Sequence, residues 1–189
     1  MRYLLIMLTL LLGGCALVSP VRDRAVHHLL EPVAPERRLT AAAPAIAVSR
    51  AALPNYLDCE QLVTRRNGEL VTSDLDLWAE PLDVAISRVV ANNLSRLTGS
   101  TNIHPVERFA TLDYTDLLEL RITQFEPDDN NTMLLQGTWK LQPVTGAEVS
   151  SRFFRIAMPL KMTPATAKDR VAAANQALLK LAQEILAAR

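Results

Sequence analysis

Two hydrophobic periods divide the chain. From Asp116 to Phe125 apolar residues recur at every second position, with Leu118, Leu120 and Ile122 facing one way and Glu119, Arg121 and Thr123 the other. The turn Pro127-Asp128-Asp129-Asn130-Asn131 comes next. Thr132 to Leu141 then alternates again, placing Met133, Leu135, Gly137, Trp139 and Leu141 on one side. Thr145-Gly146 makes the next turn, and Glu148 to Leu160 the next run. Period two with one polar face predicts an antiparallel meander covered on one side. Two other stretches follow the helical period. In the first, Leu82, Ile86, Val89, Val90, Leu94 and Leu97 form a stripe opposite Asp83, Ser87, Arg88, Asn92, Ser95 and Arg96. Pro81 suits its first position and Gly99 its C-terminal cap. In the second, Val171, Ala174, Leu178, Leu181, Ala182 and Ile185 form the stripe, with Thr163 as cap and Pro164 as first residue.

Shorter signals fill the first half. Val26 to Leu30 and Ala45 to Ala51 read as strands, separated by a loop from Pro32 to Pro44 that holds three prolines. Leu53-Pro54-Asn55-Tyr56-Leu57 is a break in the chain. Gln61–Arg66 and Glu69–Thr72 flank Asn67-Gly68, a pair that tolerates positive φ at both positions and predicts a hairpin. Trp78-Ala79-Glu80-Pro81-Leu82 opens the first helix. The expected fold is a single α/β domain, a mixed sheet with an antiparallel meander packed against two amphipathic helices at about 82–98 and 164–188.

The N-terminus follows neither period. After Met1-Arg2, Tyr3 to Leu12 is an apolar run broken only by Thr9. As a helix it rises about 15 Å, half of a bilayer core, too short to span and right for a signal peptide. Leu12-Gly13-Gly14-Cys15 then supplies a branched apolar residue, two small residues and a thiol. That is the order a lipoprotein signal peptidase recognises, with Cys15 as acyl acceptor. Residues 1–14 thus read as a signal peptide, 15–25 as lipidated cysteine and tether, and 26–189 as the domain. Ala16 in place of an Asp favours the outer membrane. An acylated cysteine anchors the chain without a transmembrane helix.

Composition narrows the function. Without Arg2, 19 basic side chains balance 20 acidic ones, and no basic stripe with interleaved aromatics points to nucleic acid. With Cys15 acylated, Cys59 has no partner for an internal disulfide and reads as a buried small apolar residue. His27 and His28, adjacent on a strand, point to opposite faces and cannot share a metal without distortion. HExxH, CxxC, Gly-rich phosphate-loop and GxSxG patterns are all missing from the sequence, so it offers no catalytic constellation, metal site or cofactor site. Asp128-Asp129-Asn130-Asn131 lacks the spacing and closing Glu of a calcium loop. An enzyme would need His104, Asp113 and Asp116 to converge in a cleft.

Several segments together resemble the PqiC (YmbA)-like auxiliary lipoproteins of ABC-transporter-associated systems. They are Leu53-Pro54-Asn55-Tyr56-Leu57, Leu77-Trp78-Ala79-Glu80-Pro81-Leu82-Asp83, Asn92-Asn93-Leu94, Ile122-Thr123-Gln124-Phe125 and Gly137-Thr138-Trp139-Lys140-Leu141. The lipobox and C-terminal helix fall in the family's order. Two features depart from it: a longer, proline-rich segment from Pro32 to Pro44, and His27-His28 where the first strand usually carries a tyrosine. The resemblance implies a lipoprotein on the periplasmic face of the outer membrane, accessory to an MCE-domain protein and its inner-membrane transport partners. It implies docking and not catalysis, and a homo-oligomer that matches ring-shaped MCE assemblies. An independent lipid carrier, holding an acyl chain between sheet and helices, is the alternative. Tyr56 and Trp78 are the candidate interaction residues. Each is open to two roles, core packing or an aromatic anchor at an interface.

Overall fold

Asn67 and Gly68 both take positive φ, 51° and 80°, and close the hairpin of β3 (Gln61–Arg66) and β4 (Glu69–Trp78). The structure is a computed structural model and describes residues 24–36, 38, 44–106, 113–146 and 149–189. The expected signal peptide, Cys15 and most of the expected tether lie outside the described residues. β1 (Val26–His28) pairs parallel to the end of β4 and completes a three-stranded sheet, ordered β1-β4-β3. The β1–β4 junction is locked by His28, whose Nε2 lies 2.9 Å from Asp76 Oδ1. That hydrogen bond holds the Asp76 carboxyl below the usual carboxylate range.

The meander forms as its alternation predicts. β6 (Asp116–Pro127), β7 (Thr132–Pro143) and β8 (Ser150–Pro159) pair antiparallel. β2 (Ile46–Val48) joins β6 in parallel, and β5 (Ile103–Pro105) joins β2, giving the order β5-β2-β6-β7-β8. The expected α/β class holds, and its strands divide between two mixed sheets of three and five strands.

Both helices cover one face of the larger sheet. α1 (Leu82–Thr98) and α2 (Ala167–Ala187) pack on each other and on the inward residues Leu118, Leu120, Ile122, Leu135, Trp139, Phe154 and Ile156. Gly99 caps α1 at φ 75°, as its position demands. No helix among the described residues is long and apolar enough to cross a membrane.

Four expectations are corrected. Trp78 ends β4 instead of opening a helix, because its N–H is held by Glu60 O at 2.6 Å. Pro81 accordingly precedes α1, with an extended ψ of 129°. α2 begins at Ala167, three residues later than expected. Thr166 is its cap, accepting from Asp169 N at 3.2 Å, while Thr163 Oγ1 accepts from Asn131 Nδ2. The Asp169 carboxylate holds the N–H groups of Lys161 and Met162, keeping that segment out of the helix. Finally, Ser87 and Ser95 on the polar side of α1 are buried, as is Asn93. Ser87 Oγ receives Ala51 N, and Asn93 Oδ1 receives Val33 N and Ala34 N. Arg88 and Arg96 donate to the carbonyls of Leu30, Pro32 and Ala34. The polar side of α1 thus straps down a proline-bearing segment that has no regular hydrogen bonds of its own.

Gly137 marks a close approach between β6 and β7. A Cβ there would lie 2.1 Å from Arg121 O and 3.0 Å from Phe154 Cζ. Because the obstacle is backbone, it cannot swing aside. Gly137→Ala is expected to cost about 3 kcal/mol in urea denaturation; unchanged stability would show that β6 and β7 are not held this close.

Candidate interaction site

The site grows from an irregularity in β6. The β6–β7 register slips between Ile122 and Gln124, adding one residue on the β6 side. A bulge of this kind bends its strand and resets which side chains face which way. Beyond it, Phe125 and Glu126 are both buried, on opposite pleats.

Glu126 has no solvent exposure, so its charge must be met within the protein. Arg65 of β3 donates Nε and Nη2 to Oε1 at 3.1 and 2.8 Å, Tyr56 Oη donates to Oε2 at 3.0 Å, and Phe125 N donates to Oε2 at 2.9 Å. Burial first, then the Glu126 charge, pushes the Tyr56 hydroxyl up to about 12, so it stays a donor throughout the physiological range.

Trp78 approaches the same strip of β6. Its ring centroid stands 6.4 Å from that of Phe125 at an interplanar angle of 35°. The two aromatic candidates are therefore brought together against Thr123–Glu126, in different roles. Tyr56, on a short 3-10 turn (Asn55–Leu57), is half-buried and fixed by its hydroxyl, which also lies 3.2 Å from Thr123 O. Trp78 is half-buried and walls a cleft of about 250 Å3 lined by Asp58, Cys59, Glu60, Ala79, Glu80, Pro81 and Leu82. Cys59 is half-buried there, not wholly interior as expected, with its thiol 3.6 Å from the carbonyls of Tyr56 and Gln61. Three carboxylates rim the cleft. Glu80 is paired with Arg88, while Asp58 and Glu60 are exposed.

Sequence reasoning missed Glu126, Arg65 and this acidic rim. A signal existed for Glu126: an acid directly before Pro127 at the end of an alternating apolar run. The remaining candidates do not assemble. His104 aligns with Ala47, and Ala47 with Leu117, so His104 and Asp116 sit on opposite pleats. Asp116 is buried against Arg189, 2.8 Å away, while Asp113 is exposed. Asp128 Oδ1 is taken by the N–H groups of Asn130 and Thr132, which makes its loop a hairpin turn. Among the described residues no group of three or more His, Cys, Asp or Glu could hold a metal ion.

Residues 28–186 match the sequence profile of the ABC-type transport auxiliary lipoprotein component family. The chain belongs to this family. It is thus an auxiliary lipoprotein component of an ABC-type transport system, which places it in the cell envelope. The match spans both sheets, both helices and the Trp78 cleft. Two crystal structures share the fold. One is protein XCC0632 of Xanthomonas campestris, a DUF330 protein, at 18% identity and TM-score 0.67, covering 85% of this chain and 92% of that one. The other is an uncharacterized protein at 20% identity and TM-score 0.63, covering 84% and 97%. No curated protein matches the chain.

The Tyr56 hydroxyl gives a pH test. Its folded value lies above the unfolded value of 10.0, so the stabilisation it provides is whole below pH 10 and lost as pH rises toward about 12. Urea unfolding free energy should fall more steeply from pH 9.5 to 11.5 in the wild type than in Tyr56→Phe. Parallel slopes would mean that Tyr56 does not share a buried site with Glu126.

Proposed function

We propose that this auxiliary lipoprotein is acylated at Cys15, sits on the periplasmic face of the outer membrane, and docks onto an MCE-domain protein of an intermembrane lipid-transport system. The observation that carries the reading is family membership across nearly the whole described domain. Leu12, Gly13 and Gly14 would direct removal of residues 1–14, and residues 15–25 would tether the domain. The Trp78 cleft is the docking point. A half-buried indole in a concave, acid-rimmed surface is the composition of an interface anchor. Two attachments, lipid at one end and protein at the other, raise effective concentration without requiring a tight interface. A homo-oligomer of this chain would match the symmetry of a ring-shaped partner.

Packing gives the independent carrier no support. The layer between sheet and helices, where an acyl chain would lie, is filled by Leu118, Ile122, Leu135, Leu178, Leu181 and Ile185, each at most 2% exposed.

The test is affinity capture of the full chain from membranes, beside Cys15→Ser, Trp78→Ala and Glu60→Lys. Glu60 is exposed, so its charge reversal probes the cleft without disturbing the core. Wild type should retrieve an MCE-domain protein, and each variant should lower recovery about tenfold or more, a loss of roughly 1.4 kcal/mol. Wild type retrieving no such protein would refute the docking reading. Undiminished recovery with both Trp78→Ala and Glu60→Lys would move the interface elsewhere.

A further inference from the structure

The face of the five-stranded sheet opposite the helices carries an arrangement that the docking reading does not use. Register puts Arg121, Thr138 and Phe153 in one row across β6, β7 and β8, and Glu119, Lys140 and Ser151 in the next. Gln136 and Arg155 begin the row on the other side. Side chains in these rows share one pleat, the one away from Leu120, Trp139 and Phe154.

A polar outer face is ordinary for an antiparallel sheet, and cations on an edge strand such as β8 discourage unwanted pairing. Phe153 fits neither explanation. It is 64% exposed, the most exposed large apolar side chain among the described residues. Strand spacing sets it about 10 Å from Arg121, and about 7 Å from Arg155 along its own strand. Neither guanidinium has a hydrogen-bond or ion-pair partner among the described residues. Lys140 is paired with Glu119 at 3.2 Å, and Arg50, across a shallow cleft of about 380 Å3, is paired with Asp83, so the excess charge rests on Arg121 and Arg155. The face therefore offers an aromatic ring between two uncompensated guanidinium groups, with cationic charge in excess.

We propose that this face, centred on Phe153, Arg121 and Arg155, rests on an anionic bilayer surface. Phe153 enters the headgroup layer, and the arginines lie among the lipid phosphates. Charge decides against a second copy of the chain, because face-to-face pairing would set these arginines against their own equivalents. A bilayer is favoured over an acidic protein because the family is one of lipoproteins. The proposal rests on the Cys15 anchor for proximity. Eleven residue steps from Cys15 to Val26 reach at most about 40 Å, so the domain stays beside the headgroups and a weak face contact suffices.

The test is hydroxyl-radical footprinting of the acylated full chain in vesicles of phosphatidylcholine, alone or mixed with phosphatidylglycerol. Met162, 53% exposed in the segment before α2, is the internal reference. Phe153 oxidation relative to Met162 should fall about fivefold or more in anionic vesicles only, and added salt should reverse the fall. Arg121→Gln and Arg155→Gln, both at exposed positions, should each recover most of it, since an arginine near an anionic surface contributes roughly a fivefold change in partition. Equal oxidation in both vesicle types overturns the proposal. So does protection in both types that grows with protein concentration, which would assign the face to self-association. Flotation reads the anchor separately. A chain that floats with Phe153 unprotected refutes the face and keeps the anchor. A chain that does not float refutes the anchor, and with it the proximity on which this proposal rests.

Discussion

A carboxylate with no access to water is tolerated only where its charge is answered. In this fold the answer to Glu126 joins the two sheets. Glu126 belongs to the larger sheet, its guanidinium partner Arg65 to the smaller one, and its hydroxyl partner, Tyr56, to the turn that precedes β3. Removing Arg65 costs up to about 3–5 kcal/mol, because Glu126 is then left charged and without water, whereas Arg65 itself keeps 34% exposure. The smaller sheet has three strands, one of them three residues long, and needs packing from outside to persist. The Glu126 clamp supplies that packing at a defined register, and the β6 bulge turns the carboxylate toward it.

The geometry of the candidate site is a consequence of this clamp. Tyr56 and Trp78 reach the same few residues of β6 from the open end of the β3–β4 hairpin, so the clamp that orders the hairpin also shapes the Trp78 cleft. The hairpin tip is secured separately, by Asn67 N donating to Asp129 in the β6–β7 turn at 2.7 Å. Exposed features are then divided by architecture. The cleft lies where β4 leads into α1. The cationic face lies on the other side of the meander from the helices, beyond the end that the smaller sheet covers at Glu126. The auxiliary lipoprotein therefore has two chemically distinct surfaces available.

Local pattern was enough for much of this. The alternation in β6, β7 and β8, the Asn-Gly turn and the glycine cap of α1 are each set by neighbouring residues, and each forms as expected. What sequence concealed depends on distant partners. Ser87 and Ser95 read as part of the polar side, and Asn93 as part of neither side, because nothing local shows that a segment some sixty residues away needs Asn93 Oδ1 for its N–H groups. Thr163-Pro164 looked like a helix start until Asp169 reached back to hold Lys161 and Met162. Glu126 fell outside the alternating run because a bulge, invisible to periodicity, changes the parity. Trp78 and Tyr56 were singled out from their motif, but only the packing separates an anchor held in place from a ring that lines a cleft.

Hydrogen exchange in Glu126→Gln tests the clamp most directly, because it resolves one sheet from the other. Loss of the charge should speed exchange across residues 61–78 by an order of magnitude or more, while the β7 and β8 amides keep wild-type rates. Faster exchange throughout both sheets, or no change in the hairpin, would contradict the claim that this carboxylate holds the smaller sheet on the larger one.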